Sequence, residues 1–288
     1  MKNLDYYNRL MGSPKSAGDT YLSLVQRGIS GGTIARQDID VIGQFPGVTE
    51  ISISGLRQDT FEYFIENYGR QFKAILFWKC PLVADLELLA SLNTVEYIVF
   101  FWNQRAEKLW DFSKTTALKG FWFDDFTRMH DISQIAKSPS LEELHFGDVI
   151  WNKYILNTLE PLERCEPLRH LSFSAKKILD GRIEPLAHLK NLEQLSFPSN
   201  MFTTGQVAWL KAHLPDSVAS KMLNAYWTLE KPLSLSGKNK DTVIVGKGKP
   251  ILDSVQDKAR IKKHVEAFND MYLWYLANQQ ASPGDYQS

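Results

Sequence analysis

Residues 131–146 read DISQIAKSPSLEELHF, and residues 38–53, four repeats earlier, read DIDVIGQFPGVTEISI. Both stretches carry an acid, an aliphatic pair three residues apart (Ile132/Ile135 and Ile39/Ile42), a proline (Pro139 and Pro46) and then apolar residues at x, x+3 and x+5, where x is Leu141 or Val48. A spacing of three marks one side of a helical turn, whereas the steps of two that follow mark a strand. Asp131 and Asp38 stand where N-caps stand, and each proline closes its helix ahead of the strand. Each stretch therefore reads as a short helix leading into a strand.

Working outward, the x, x+3, x+5 phrase occurs seven times: Val48/Ile51/Ile53, Phe72/Ile75/Phe77, Val95/Ile98/Phe100, Leu118/Phe121/Phe123, Leu141/Leu144/Phe146, Leu168/Leu171/Phe173 and Leu192/Leu195/Phe197. The starts lie 24, 23, 23, 23, 27 and 24 residues apart. The helical pair recurs as Leu86/Leu89, Leu109/Phe112, Leu159/Leu162 and Ile183/Leu186; before Phe72 it fails, with Tyr63 and Glu66 in its place, which predicts a longer or shifted helix there. A unit of this size cannot bury its apolar face alone, so the repeats must stack into a solenoid with capped ends.

Over roughly 38–215 the chain resembles the leucine-rich repeat family. That resemblance implies an α/β horseshoe with a parallel concave sheet and a role in holding a partner, with no catalysis and no cofactor. The family places Asn or Cys at x+8; Cys80, Asn103 and Asn200 match, while Leu56, Phe126, Val149 and Lys176 do not, so most turns must be satisfied in another way. No subfamily is indicated. Residues 1–37, with Gly28, Gly31 and Gly32, are expected to form an N-terminal cap whose TYLSLV (20–25) pairs with the first strand. The solenoid is read as 38–223. Residues 224–288 are read as a C-terminal module, with two short strands within 233–252 and a helix over 253–279. That helix has the stripe Val255, Ile261, Val265, Phe268, Tyr272 and Leu276, and a frayed tail follows it.

With 44% apolar and 23% charged residues in a 288-residue chain, a large core is within reach. Lys+Arg and Asp+Glu are equal at 33 each, so no net field draws the molecule to nucleic acid or anionic lipid. The first nineteen residues hold no apolar signal region and no stretch approaches a membrane span, which predicts a cytoplasmic protein. Cys80 and Cys165 fall at different repeat phases, so neither a disulfide nor a thiolate zinc site is expected.

The strand phase assigns x+2, x+4 and x+6 to the concave face. Leu76, Trp78, Tyr97, Val99, Phe101 and Trp122 then form one apolar patch with Trp102 at its edge, rimmed by Asp124, Asp125, Glu143 and Asp148. Aromatic clusters of this kind serve as binding anchors. The expected ligand is a protein or peptide with an apolar anchor and basic flanks; cover by the chain's own termini or a homodimer contact is the alternative. His145 and His170, beside Glu143, add recognition groups that titrate near neutrality, and the set is expected to hold no metal. Both cysteines read as inert core thiols. Residues 246–249 lack the Gly-Lys-Ser/Thr ending of a phosphate loop. Residues 229–263 carry nine Lys/Arg against four acids, which keeps an acidic or nucleic-acid partner as an alternative, and a site between solenoid and C-terminal module keeps an enzyme as another.

Overall fold

A computed structural model of the protein describes residues 20–148, 150–235 and 238–287; the expectations for the first nineteen residues, Val149, the 236–237 turn and Ser288 lie outside the described residues. The strands are β1 (Tyr21–Leu24), β2 (Glu50–Ser54), β3 (Ala74–Trp78), β4 (Tyr97–Asn103), β5 (Gly120–Phe126), β6 (Glu143–Gly147), β7 (Ile155–Leu156), β8 (His170–Ser174), β9 (Lys177–Ile178), β10 (Gln194–Ser196), β11 (Tyr226–Leu235), β12 (Lys238–Ile244) and β13 (Ile251–Leu252). One sheet runs β1-β2-β3-β4-β5-β6-β8-β10, and its strand pairs are parallel. The register joins equal repeat positions, with Ile51 opposite Ile75, Ile75 opposite Ile98, Ile98 opposite Phe121 and Phe121 opposite Leu144. Every residue of the seven x, x+3, x+5 phrases is at most 4% exposed, which settles the phase. The architecture is an α/β leucine-rich-repeat solenoid.

The return segments are tighter than α-helices. Five-residue 3-10 turns occupy Asp40–Gln44, Glu87–Ser91, Ser133–Lys137, Glu160–Arg164 and Glu184–His188, with a shorter one at Phe112–Lys114. In a 3-10 helix residues i and i+3 eclipse, so a pair spaced by three turns both members to one side. Accordingly Leu86/Leu89, Ile132/Ile135, Leu159/Leu162 and Ile183/Leu186 are all buried. A side-chain oxygen two residues upstream accepts a first-turn N–H in successive repeats: Asp85 from Glu87 (2.8 Å), Asp111 from Ser113 (3.2 Å), Asp131 from Ser133 (2.7 Å) and Thr158 from Glu160 (3.0 Å). Asp38 corrects its expectation. It is the third residue of the turn Arg36–Ile39, and its carboxylate reaches back to the Ala35 N–H at 3.1 Å.

Inside, aromatic rings at x+5 stack along the solenoid: Phe77 on Phe100 (4.4 Å), Phe123 on Phe146 (5.6 Å), Phe146 on Phe173 (5.5 Å) and Phe173 on Phe197 (5.9 Å). Phe126, where the family pattern calls for Asn, wedges between Phe100 (5.5 Å) and Phe123 (5.3 Å) instead. Asn103 does what the pattern implies. Buried, it donates to the Cys80 and Val83 carbonyls and accepts from the Arg105 and Ala106 N–H groups. Asn200 does not, being exposed in a turn. Before Phe72 the return is a ten-residue α-helix, α1 (Gln58–Asn67), which buries Phe61, Phe64 and Ile65 and leaves the Tyr63 hydroxyl to bond Asp40 at 2.6 Å. The 27-residue repeat accommodates the loop after β6 and the extra pair β7–β9.

At the N-terminal edge β1 pairs with β2, Leu22 opposite Ile51. Gly31 and Gly55 have positive φ, and a Cβ on Gly31 would lie 2.2 Å from the Lys79 carbonyl oxygen, so only glycine closes this turn. At the other edge Ala219 adds one parallel bridge to Gln194. Helix α2 (Thr204–His213) starts in a capping box, Thr203 and Gln206 bonding each other's backbone N–H at 3.2 and 3.0 Å. It packs against α3 (Lys258–Ala277), and β11–β12–β13 form a small antiparallel sheet. The third strand and the start of β11 at Tyr226 exceed the two-strand expectation. Val255 (81% exposed) and Leu276 (42%) are not in the buried stripe; Phe268 and Tyr275 are its centre. Nor is the tail loose: the Trp209 indole donates to the Ala281 carbonyl at 2.7 Å, and Tyr286 packs edge-on against Trp274. Among the described residues no helix is long and apolar enough to cross a membrane.

Candidate functional site

The concave rungs align as the phase requires: Ala74, Tyr97, Gly120, Glu143 and His170 in one, and Leu76, Val99, Trp122 and His145 in the next. Ala74, Leu76 and Val99 gather with Tyr21 of β1 into an apolar cluster separate from the core, with Trp78, Tyr97 and Trp122 packed against it. The cluster is closer packed than a row of side chains standing into water. Leu76 (2% exposed), Val99 (4%) and Phe101 (8%) are buried, Phe101 lying under the Trp78 ring at 4.3 Å. Phe101 therefore faces the concave side without reaching water, which corrects its expected exposure. Trp78, Tyr97 and Trp122 are half-buried and form the aromatic surface.

Trp122 is held in place by charge. Its indole N–H donates to Asp124 Oδ2 at 2.5 Å, and its ring stacks on His145 at 3.8 Å, whose Nε2 lies 3.1 Å from Asp124 Oδ1. Asp124 is itself fully buried, so it positions an indole and an imidazole and offers no carboxylate to a ligand. Most of the expected acidic rim is likewise consumed. Asp125 is buried and accepts from the Ile150 N–H at 3.1 Å. Asp148 accepts from the N–H groups of Trp151, Lys153 and Tyr154; burial pushes its carboxyl up, and the hydrogen bonds it accepts outweigh that and hold it below the usual carboxylate range. Glu143 remains on the face, 3.1 Å from His170 Nδ1; His170 Nε2 lies 3.6 Å from Glu193, whose carboxyl is lowered chiefly by Arg169. The two histidines are thus each tied to acids. Among the described residues no three His, Cys, Asp or Glu side chains are placed to hold a metal ion.

Beyond Trp122 the face opens into a groove of about 510 Å³ running from Tyr97 to Met222. Gly120 removes one side chain from its floor, and Lys221 and Met222 close its far wall. The sequence reading did not find these last two, because the repeat phase ends at Pro215 and nothing local marks them. Trp102 sits at the strand-end edge, turned there by a left-handed backbone (φ 63°). Lys79 (φ 53°) and Asp125 (φ 59°) adopt the same conformation at the equivalent x+7 position. Trp151 lies 6.4 Å from Trp102, and the Lys79 ammonium lies between the Trp78 and Trp102 rings at 5.3 and 5.8 Å.

The other candidates are structural. Gly246 donates its N–H to the Ser199 carbonyl at 2.8 Å, and a Cβ there would meet Thr204, so the Gly-Lys-Gly-Lys stretch is a packed turn. In the basic segment Arg260 pairs with Asp257 (2.8 Å) and Lys262 with Glu266 (3.7 Å), while Lys240 donates to the Ile251 carbonyl. Cys80 and Cys165 are free and buried, and desolvation pushes each thiol up to about 12. Neither thiol is therefore expected to react with iodoacetamide at pH 8 in the folded protein, whereas both react in denaturant. Alkylation of either residue at a free-thiol rate without denaturant would contradict their burial.

No protein-family model matches the chain, and no curated protein matches it either. Among solved structures it is similar to an internalin, InlF, from Listeria monocytogenes (14% identity, TM-score 0.47, covering 69% of this chain and 56% of that one). It is also similar to a leucine-rich-repeat protein from Leptospira interrogans (13% identity, TM-score 0.46, covering 67% and 46%). The chain thus spans about half the length of these proteins. The repeat assignment rests on the register and burial described above.

Proposed function

We propose that the protein is a non-catalytic, cytoplasmic scaffold that holds a protein or peptide on its concave aromatic face, with residues 224–288 as the module capping the array. The observation that carries this reading is the apolar cluster of Leu76, Val99 and Tyr21 outside the core, with the half-buried rings of Trp78, Tyr97 and Trp122 on it. A protein gains nothing for its own core by placing three large aromatics on the open side of a sheet, whereas such anchors supply much of the free energy of association. Because the rim carboxylates are bound internally, the partner is selected by apolar anchors more than by basic flanks; Glu143, His145 and His170 supply the polar contacts, and Trp102 marks the edge. Two free buried thiols fit a reducing compartment.

The test is capture from native lysate by the wild type and by the Trp78→Ser/Trp122→Ser double variant. Loss of a specific captured protein in the variant, with the circular dichroism spectrum retained, is the expected outcome. Unchanged capture sinks the reading. The double substitution also strands the buried Asp124, so a stability loss of about 1–3 kcal/mol accompanies it.

A further inference from the structure

Along the strand-end edge the chain sets apolar side chains into water on two separate loop tips. Ile29 is 90% exposed in the turn that the Gly31 N–H closes on the Gly28 carbonyl at 2.9 Å, and Val25 and Arg27 beside it are exposed too. Ile150 (50%) and Trp151 (43%) make the second tip, in the loop after β6. The two tips are joined. The Lys79 ammonium donates to the Ile29 carbonyl at 2.9 Å and lies 5.8 Å from the Trp102 ring, and Trp102 lies 6.4 Å from Trp151. A ridge of aliphatic and indole side chains therefore runs from Ile29 to Ile150. Where its tips are charged they are cationic. No acid occurs in the sequence between Thr20 and Gln37, and in the second loop Asp148 is engaged by three backbone N–H groups, whereas the Lys153 ammonium lies 6.0 Å from the Trp151 ring.

We propose that this ridge docks the protein on an anionic lipid surface, with Ile29 and Trp151 as the inserted residues and Arg27, Lys79 and Lys153 facing the headgroups. Aliphatic side chains held out in water contribute nothing to the fold. A rigid protein pocket would have to match two loops at once, while a fluid interface accepts aliphatic tips wherever they stand. It also holds indole rings at headgroup depth and draws lysine and arginine to anionic lipid. Because Lys+Arg and Asp+Glu balance over the whole chain, no long-range field assists, and attachment needs the inserted side chains and the local cations together.

The test is sedimentation of the full chain with vesicles of phosphatidylcholine containing a quarter phosphatidylserine. Ile29→Asp and Trp151→Ser change exposed side chains and leave the fold intact, and each is expected to weaken binding about tenfold or more. Vesicles of phosphatidylcholine alone are expected to bind several-fold less. In a second arm, Ile29→Cys, Trp151→Cys and, as a control, Leu273→Cys (60% exposed on α3) carry a polarity-sensitive fluorophore, the burial of Cys80 and Cys165 leaving the new thiol as the reactive one. Emission is expected to shift to the blue on vesicles at positions 29 and 151 and to stay unchanged at 273. Equal shifts at all three positions, no shift at 29, binding that ignores either substitution, or equal binding to uncharged vesicles overturns the proposal. So does capture of a soluble protein that Ile29→Asp abolishes while no vesicle is bound, which would make the ridge a protein interface. None of these outcomes bears on capture by Trp78 and Trp122, so the scaffold reading stands or falls separately.

Discussion

Replacing Phe123 with Ala is expected to cost about 3–5 kcal/mol of folding free energy, while Trp122→Ser on the adjacent residue costs about 1–2. The two side chains leave the same strand in opposite directions. Phe123 is fully buried at the crossing of the aromatic spine, touching Phe146 (5.6 Å), Phe126 (5.3 Å), Phe121 (5.0 Å) and Tyr154 (6.4 Å). Its removal opens a cavity bounded by rings from two adjacent repeats, which cannot collapse without dragging their strands. Trp122 packs against the concave cluster and the His145 ring, outside the core, and what its loss strands is the buried Asp124 carboxylate, which keeps His145 as a partner. Urea denaturation of the two single variants measures both costs. If Trp122→Ser were the more damaging of the two, the concave surface would be part of the core and the binding face would have to lie elsewhere.

That contrast marks what was legible in the sequence. Phase was legible because x, x+3 and x+5 recur at nearly constant period, and a one-residue slip would send every apolar residue to the wrong face. The 3-10 turns were legible as pairs spaced by three. Accessibility within the concave face was not, since it depends on which neighbour leans over which: Phe101 and Trp78 occupy the same x+6 rung, yet one ring covers the other. The rim failed for a related reason. A sequence shows that Asp124, Asp125 and Asp148 are charged, but not that nearby N–H groups will claim them. Left-handed backbone at Lys79, Trp102 and Asp125 gave no signal either, because glycine, its usual mark, stands only at Gly55 in that series.

Asn103→Ala is the second large loss, expected at about 3 kcal/mol or more, against less than about 0.5 kcal/mol for Asn200→Ala. Both asparagines occupy x+8 and are indistinguishable by pattern. The amide of Asn103 donates to the Cys80 and Val83 carbonyls (3.2 and 2.8 Å) and accepts from the Arg105 and Ala106 N–H groups (2.9 Å each), all in a place that water does not reach. Alanine leaves four backbone groups without that partner, and buried groups left unmade cost far more than a made bond contributes. Asn200 stands in solvent, where water replaces whatever its amide bonds. The neighbouring repeats show why one such residue suffices: Leu56 and Phe126 fill the same position with buried apolar bulk, so those turns are closed by packing. Asn103→Asp separates the two halves of the amide, because a carboxylate still accepts from Arg105 and Ala106 but cannot donate to the two carbonyls. Its cost in urea is expected to approach that of alanine at neutral pH and to fall as acid protonates the carboxylate and restores one donor. Equal stability of the Asn103→Ala and Asn200→Ala proteins would mean that this turn is held by its apolar neighbours alone.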